Sequence, residues 1–182
     1  MRKLVVTEYV SLDGVFEEPG HWSGPFFDDE AGKFKYDELF ESDAQLLGRL
    51  TYEGFAAAWP NFTDEMGFAD RMNTMPKYVV STTLQKADWN NSHIIRGNVP
   101  EEVAKLKQQD GKNILVAGSG KLVETLLAHG LVDEFRFMLH PIVLGKGKRL
   151  FRDGIDSTVM NLVATKPLAS GIVILTYEPK RA

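Results

Sequence analysis

Short runs rich in β-branched residues, KLVVTEYV, KYVVSTT, HIIR and NILVAG, alternate along this chain with segments of helical spacing. Strands joined through helices pair most simply in parallel, so the alternation predicts an α/β sheet with mostly parallel strands and flanking helices. One helix is expected from about Tyr52 to Trp59, stopping before Pro60, with the Thr51 hydroxyl as its cap. Another follows Pro100, with Val99, Val103 and Leu106 on one face. A third begins at Ser119, carries Leu122, Val123, Leu126 and Leu127 as an apolar stripe, and ends at Gly130, where glycine tolerates a left-handed cap. Beyond Asp133 the spacing changes. Phe135, Phe137 and Leu139 alternate with Arg136, Met138 and His140, and VMNLVATKPLASGIVILTYEP reads as two strands joined by a turn at Ser170 and Gly171. Antiparallel C-terminal strands are therefore expected to complete the sheet. With 182 residues and neither repeat nor linker, a single domain over 1–182 is expected.

Charge and composition narrow the partners. A formal net charge of −4 argues against nucleic acid or an anionic membrane as a partner. The chain has no cysteine, which rules out disulfides, thiolate metal sites and cysteine nucleophiles and fits a reducing cytoplasm. The four histidines, at 21, 93, 129 and 140, lack metal-ligand spacing, and no metal site is expected. The opening MRKLVVTEYVSLDG is interrupted by Thr7 and Glu8 and reads as a first strand, not a signal peptide. No apolar stretch approaches the roughly 20 residues of a spanning helix.

Three strand ends carry chemistry that suits an anion. In LVAGSGKLVETLL a strand breaks into Gly118, Ser119 and Gly120 before a helix, whose start offers unpaired N–H groups and partial positive charge. The segment is neither GxGxxG nor GxxxxGK[ST], so taken alone it reads first as a tight strand-to-helix connection. In LLGRLTYEGF another strand ends at Gly48 and passes Arg49, a planar bidentate donor, and Thr51. In VVSTTL, Ser81 and Thr82 supply hydroxyls that suit a ribose or phosphate and are also ordinary turn residues. Together they predict one extended ligand across the carboxyl edge of the sheet.

SLDGV, LLGRLTYE, VVSTTL, VAGSGKLVETLL and above all GLVDEFRFMLHPIVLGKGKRLF follow the order and spacing of the dihydrofolate-reductase-like superfamily. The chain more closely resembles the reductase domain of bacterial riboflavin biosynthesis. That resemblance implies a central, mostly parallel sheet, bound NADPH, hydride transfer to a pterin-like or ribosylated pyrimidine heterocycle, and a homodimer. By position it implies that Gly48, Arg49 and Thr51 meet the cofactor's phosphates, Ser81 and Thr82 its adenosine ribose end, and Gly118, Ser119, Gly120, Lys121 and Leu122 its pyrophosphate and nicotinamide half. Ala117 departs from dihydrofolate reductases proper, which have the first of two adjacent glycines there. Their acidic residue at the helix after a Trp-containing loop points to Asp28 as proton donor, with helix capping as its bland reading. Asp13, at the end of the first strand, is the rival, although Asp-Gly is also an ordinary turn. Trp22, Phe26 and Phe27 read as a lid or as a loop anchor, and Lys146, Lys148 and Arg149 as a phosphate grip or a solvated turn. Two other functions stay open: 5-amino-6-(5-phosphoribosylamino)uracil reductase, and a nucleotide-binding sensor without turnover.

Overall fold

The structure, a computed structural model, describes residues 1–180. Its strands are β1 (Leu4–Ser11), β2 (Ser42–Gly48), β3 (Lys77–Val80), β4 (Ser92–Ile95), β5 (Asn113–Ala117), β6 (Glu134–His140), β7 (Met160–Pro167) and β8 (Val173–Pro179). The α-helices are α1 (Asp29–Phe40), α2 (Arg49–Ala58), α3 (Phe68–Thr74), α4 (Val99–Gln108) and α5 (Gly120–Ala128). The strands form one sheet in the order β4-β3-β2-β5-β1-β6-β8-β7. Every pairing from β4 across to β6 is parallel, whereas β8 runs antiparallel to β6 and β7 antiparallel to β8.

The expected antiparallel tail therefore begins one strand later than its alternation suggested. β6 lies parallel to β1 from Val5↔Glu134 to Ser11↔His140. The reason is α5: a helical crossover carries the chain from the carboxyl edge of the sheet back to its amino edge, so the next strand enters in the same direction.

β1 runs through the centre with apolar cores on both faces. Leu4 and Val6 pack with Leu46, Ile114 and Val116 against Val103 and Leu106 of α4 and Leu122, Val123 and Leu126 of α5. Val5, Leu47 and Leu115 pack on the opposite face against Leu39 of α1, Tyr52 of α2 and Met72 of α3. Each such side chain contributes about 1.5–3 kcal/mol of burial, so β1, β2 and β5 form the rigid base on which the strand ends stand. Met138 is fully buried by the chain's own Ala31, Leu168, Ile172 and Ile174. The last three belong to the β7–β8 hairpin, closed by the Leu168 N–H bond to the Ile172 carbonyl at 2.8 Å with Gly171 at φ +91°. Among the described residues no helix is long and apolar enough to cross a membrane.

Candidate active site

Two strand-to-helix turns interlock at the carboxyl edge of the sheet. β2 and β5 are parallel neighbours. β2 leaves through α2 and α3 toward β3, and β5 leaves through α5 toward β6 on the other side. Adjacent strands departing in opposite directions open a crevice between them, the usual ligand position in open α/β sheets. Here Ser119 bridges the crevice floor: its Oγ accepts the Gly48 N–H at 2.8 Å and donates to Thr51 Oγ1 at 2.9 Å.

The small residues make room first for each other. A Cβ on Gly118 would sit 2.7 Å from Thr51 Oγ1, one on Gly48 2.9 Å from Ser119 Oγ, and one on Gly120 2.7 Å from Phe16 Cζ. Gly118 also has φ +59° and Ser119 φ +66°, so a non-glycine residue holds the left-handed conformation next to a glycine that does the same. Thr51 is not the cap expected of it. α2 starts two residues before it, with Gly48 as N-cap, and the Thr51 hydroxyl serves Ser119 instead.

What remains for a ligand is a set of donors. Neither α2 nor α5 has a side-chain cap, so the first-turn amides of Arg49, Leu50 and Thr51 and of Gly120, Lys121 and Leu122 have no capping side chain. Arg49 is partly exposed and held by Glu53 at 3.0 Å, an exposed pair worth little by itself and able to yield to a phosphate. Lys121 is exposed, while the Leu122 side chain belongs to the core and leaves only its amide for a ligand. Thr82 is exposed. The Ser81 hydroxyl is committed to its own turn, accepting the N–H groups of Thr83 at 3.2 Å and Leu84 at 2.9 Å, which removes it as a free ribose contact. A separate open groove of about 690 Å³ runs beside α2, lined by Tyr52, Leu84, Lys86 and Trp89 among others; its lining also includes the carboxylates of Glu53 and Asp88, so the crevice better suits an anion.

Both carboxylates expected as proton donors are structural acceptors. Asp28 is the N-cap of α1 and accepts the Ala31 N–H at 2.9 Å, which lowers its pKa. Asp13 accepts the Ser11 hydroxyl at 2.6 Å and the amides of Leu144 and Gly145 at 3.1 and 2.8 Å, and these bonds pull it down to about 2. Each is ionised at neutral pH, with no proton to give. The basic turn after β6 is likewise tied down: Lys148 pairs with Glu17 at 3.1 Å, and Arg149 donates to the Asp13 carbonyl at 3.0 Å. Trp22 anchors its loop through Nε1–H to the Glu17 carbonyl at 2.9 Å and stands edge-on to buried His140, which Phe26 also meets. Phe27 stays 45 % exposed.

Sequence reasoning passed over the buried charges under α1. Glu8 is only 5 % exposed, and Glu38 only 1 %. Lys35 pairs with Glu38 and donates to Thr7 Oγ1 at 3.0 Å, and Arg136 of β6 approaches Glu38 at 3.9 Å while bonding Glu134 at 2.6 Å. Burial pushes the Glu8 carboxyl up to about 8, although Lys35 and the Gly118 amide pull against that rise and Glu38 adds to it. A glutamate interrupting an apolar central strand, and helix spacing that puts Lys35 and Glu38 with Ala31 and Leu39 on the inner stripe of α1, were the available signals.

A mostly parallel sheet with interlocked turns at its carboxyl edge and an antiparallel tail defines an α/β fold of the dihydrofolate-reductase-like kind. The chain belongs to the RibD C-terminal domain family, whose model matches residues 2–174. Uncharacterized protein YyaP of Bacillus subtilis is 34 % identical over 181 residues, covering 97 % of this chain and 95 % of that protein. The crystal structure of a putative riboflavin biosynthesis protein from Shewanella superposes with a TM-score of 0.79 at 22 % identity, covering 98 % of this chain and 99 % of that one. Dihydrofolate reductase from Enterococcus faecalis, complexed with NADP(H), superposes with a TM-score of 0.67 at 16 % identity, covering 98 % and 97 %. At those identities the two structures establish the fold.

Proposed function

We propose that this protein is an NADPH-dependent reductase of a small flat heterocycle, pterin-like or of the ribosylaminopyrimidine type. The observation that carries this reading is the pair of uncapped helix starts at adjacent strand ends, with Arg49 on one and Lys121 on the other. Their chemistry fits a molecule with several phosphates, since first-turn amides and cations answer spread negative charge. The reduced nicotinamide, when bound, supplies hydride. The chain's own part is to orient and shield: the Gly118–Ser119 backbone allows close approach, and the Ser119 bridge keeps both helix starts in register. Family membership and the NADP(H) complex of the Enterococcus enzyme support the same reading.

Calorimetric titration tests it. NADPH is expected to bind at least about tenfold tighter than NADH, about 1.4 kcal/mol, because this reading assigns the partly exposed Arg49 and the exposed Thr82 to the 2′-phosphate. Equal affinities would remove the 2′-phosphate from this account.

We further infer a homodimer formed through β7. This strand ends the sheet, is exposed along nearly all its length, and presents Leu162 and Val163 at 56 % and 53 % exposure just after Val159 at 62 %. A long edge with apolar residues is a template for another strand, and pairing with a second copy would satisfy its open N–H and C=O row. Light scattering at micromolar concentration is expected to give twice the 20.4 kDa chain mass. A mass of one chain would defeat the inference.

A further inference from the structure

We propose that Glu8 is the acid of this site, delivering the proton to the nitrogen of a substrate C=N bond. The inference rests on the reductase reading and assigns it a group that sequence reasoning missed. Its ground is where two ladders part. β1 pairs with β5 only as far as Thr7↔Ala117, but with β6 as far as Ser11↔His140. Glu8 is thus the first β1 residue beyond the end of the β5 ladder, where the chain of β5 turns away through Gly118 toward α5. The slot this leaves lies beside the turn into α5, where the Gly118 amide bonds the Glu8 carboxyl.

The carboxyl in that slot is buried, and its Oε1 has no hydrogen-bond partner among the described residues. An unmade bond on a buried polar atom costs roughly 1–3 kcal/mol, whereas Asp13 and Asp28 have theirs made. The charged groups around Glu8 are Lys35 and Glu38 from α1, with Arg136 of β6 behind Glu38; from the β5 turn it meets only the Gly118 amide. Burial, the largest influence, favours the protonated form. The sign follows: the native carboxyl titrates above an ordinary glutamate, so the acid form prevails below about pH 8 and is lost above it.

In the reduction, the carbon of the C=N bond receives the hydride and its nitrogen the proton. At Glu8 the O–H bond breaks as the N–H bond forms, the electron pair stays on the carboxylate, which the Gly118 amide and the charge of Lys35 favour, and a solvent proton restores the acid.

The test has two arms on the intact chain. Carbon-13 carboxyl NMR of glutamate-labelled protein, without ligand, is expected to show one resonance titrating near 8 that is absent from Glu8→Gln. NADPH oxidation with 7,8-dihydrofolate as the C=N probe, followed across about pH 6 to 9, is expected to fall as pH rises through about 8. Glu8→Gln should lower kcat at least about a hundredfold with little change in KM, and Glu8→Asp should recover part of it. The proposal is overturned if Glu8 titrates in the ordinary carboxylate range, if the parent does not turn over the probe, or if Glu8→Gln keeps kcat within about threefold of the parent. A separate NADPH titration distinguishes the failures. A parent that does not bind NADPH brings down the reductase reading itself, and one that binds it while giving any of those results brings down only the role of Glu8.

Discussion

Gly118→Val is expected to lose roughly 2–6 kcal/mol of folding stability, the sum of about 1–3 kcal/mol for a β-branched residue in left-handed backbone and about 1–3 kcal/mol for overpacking. The Cβ would lie 2.7 Å from Thr51 Oγ1 and 3.3 Å from Thr51 Cγ2, and φ at this position is +59°. Against the roughly 5–15 kcal/mol of a typical domain, such a loss removes a large share of the margin. Urea denaturation measures it, and a cycle with Thr51→Ala isolates its cause. Removing the threonine hydroxyl and methyl should restore the steric part, leaving the backbone part behind. Additive effects of Gly118→Val and Thr51→Ala would mean that the turns do not rely on each other. Because this glycine is needed for folding, its replacement cannot report on the cofactor alone. Lys121→Ala, which fills no space, is the cleaner probe there, and the weakening it causes should shrink with added salt.

Glu38→Ala is expected to destabilise by about 3–5 kcal/mol, since removing one partner of a buried pair leaves the other charge uncompensated. Glu38 is 1 % exposed at the meeting of Lys35 and Arg136. Arg136 keeps Glu134 and Glu41, whereas Lys35 would retain only Thr7, the Tyr9 ring and the charge of a Glu8 carboxyl that burial keeps largely protonated. Two consequences follow in one variant. Stability falls in urea at neutral pH, and the Glu8 resonance titrates lower, because Glu38 had helped to raise it while Lys35 lowers it. A cost below about 1 kcal/mol, the range of an exposed pair, would show that this pair does not hold α1 to the sheet.

Much of the frame was legible as pattern. The β-branched runs mark β1, β3, β4 and β5, and the stripe from Leu122 to Leu126 marks α5 with its Ser119 start and Gly130 stop. These are short-range features, set by propensity and period within a few residues. The direction of β6 was misjudged because Phe135, Phe137 and Leu139 alternate as they would in either orientation; which strand it joins depends on the α5 crossover. Asp28 and Asp13 were plausible acids by position, but a carboxylate's proton depends on its hydrogen-bond donors, and those come from Ala31 in one case and from Leu144 and Gly145 in the other.

The amino-acid order by itself determined that glycines and serine end β5, that arginine and threonine follow β2, and that a glutamate stands among the apolar residues of β1, because each of these is a local fact about one strand and its exit. Only the tertiary structure decided that Gly118 faces Thr51, that Ser119 joins the two turns, and that Glu8 stands where the β5 ladder stops. Packing between segments far apart in sequence creates the burial that raises a carboxyl's pKa and the close contact that forbids a Cβ, and neither quantity exists until the strands lie side by side.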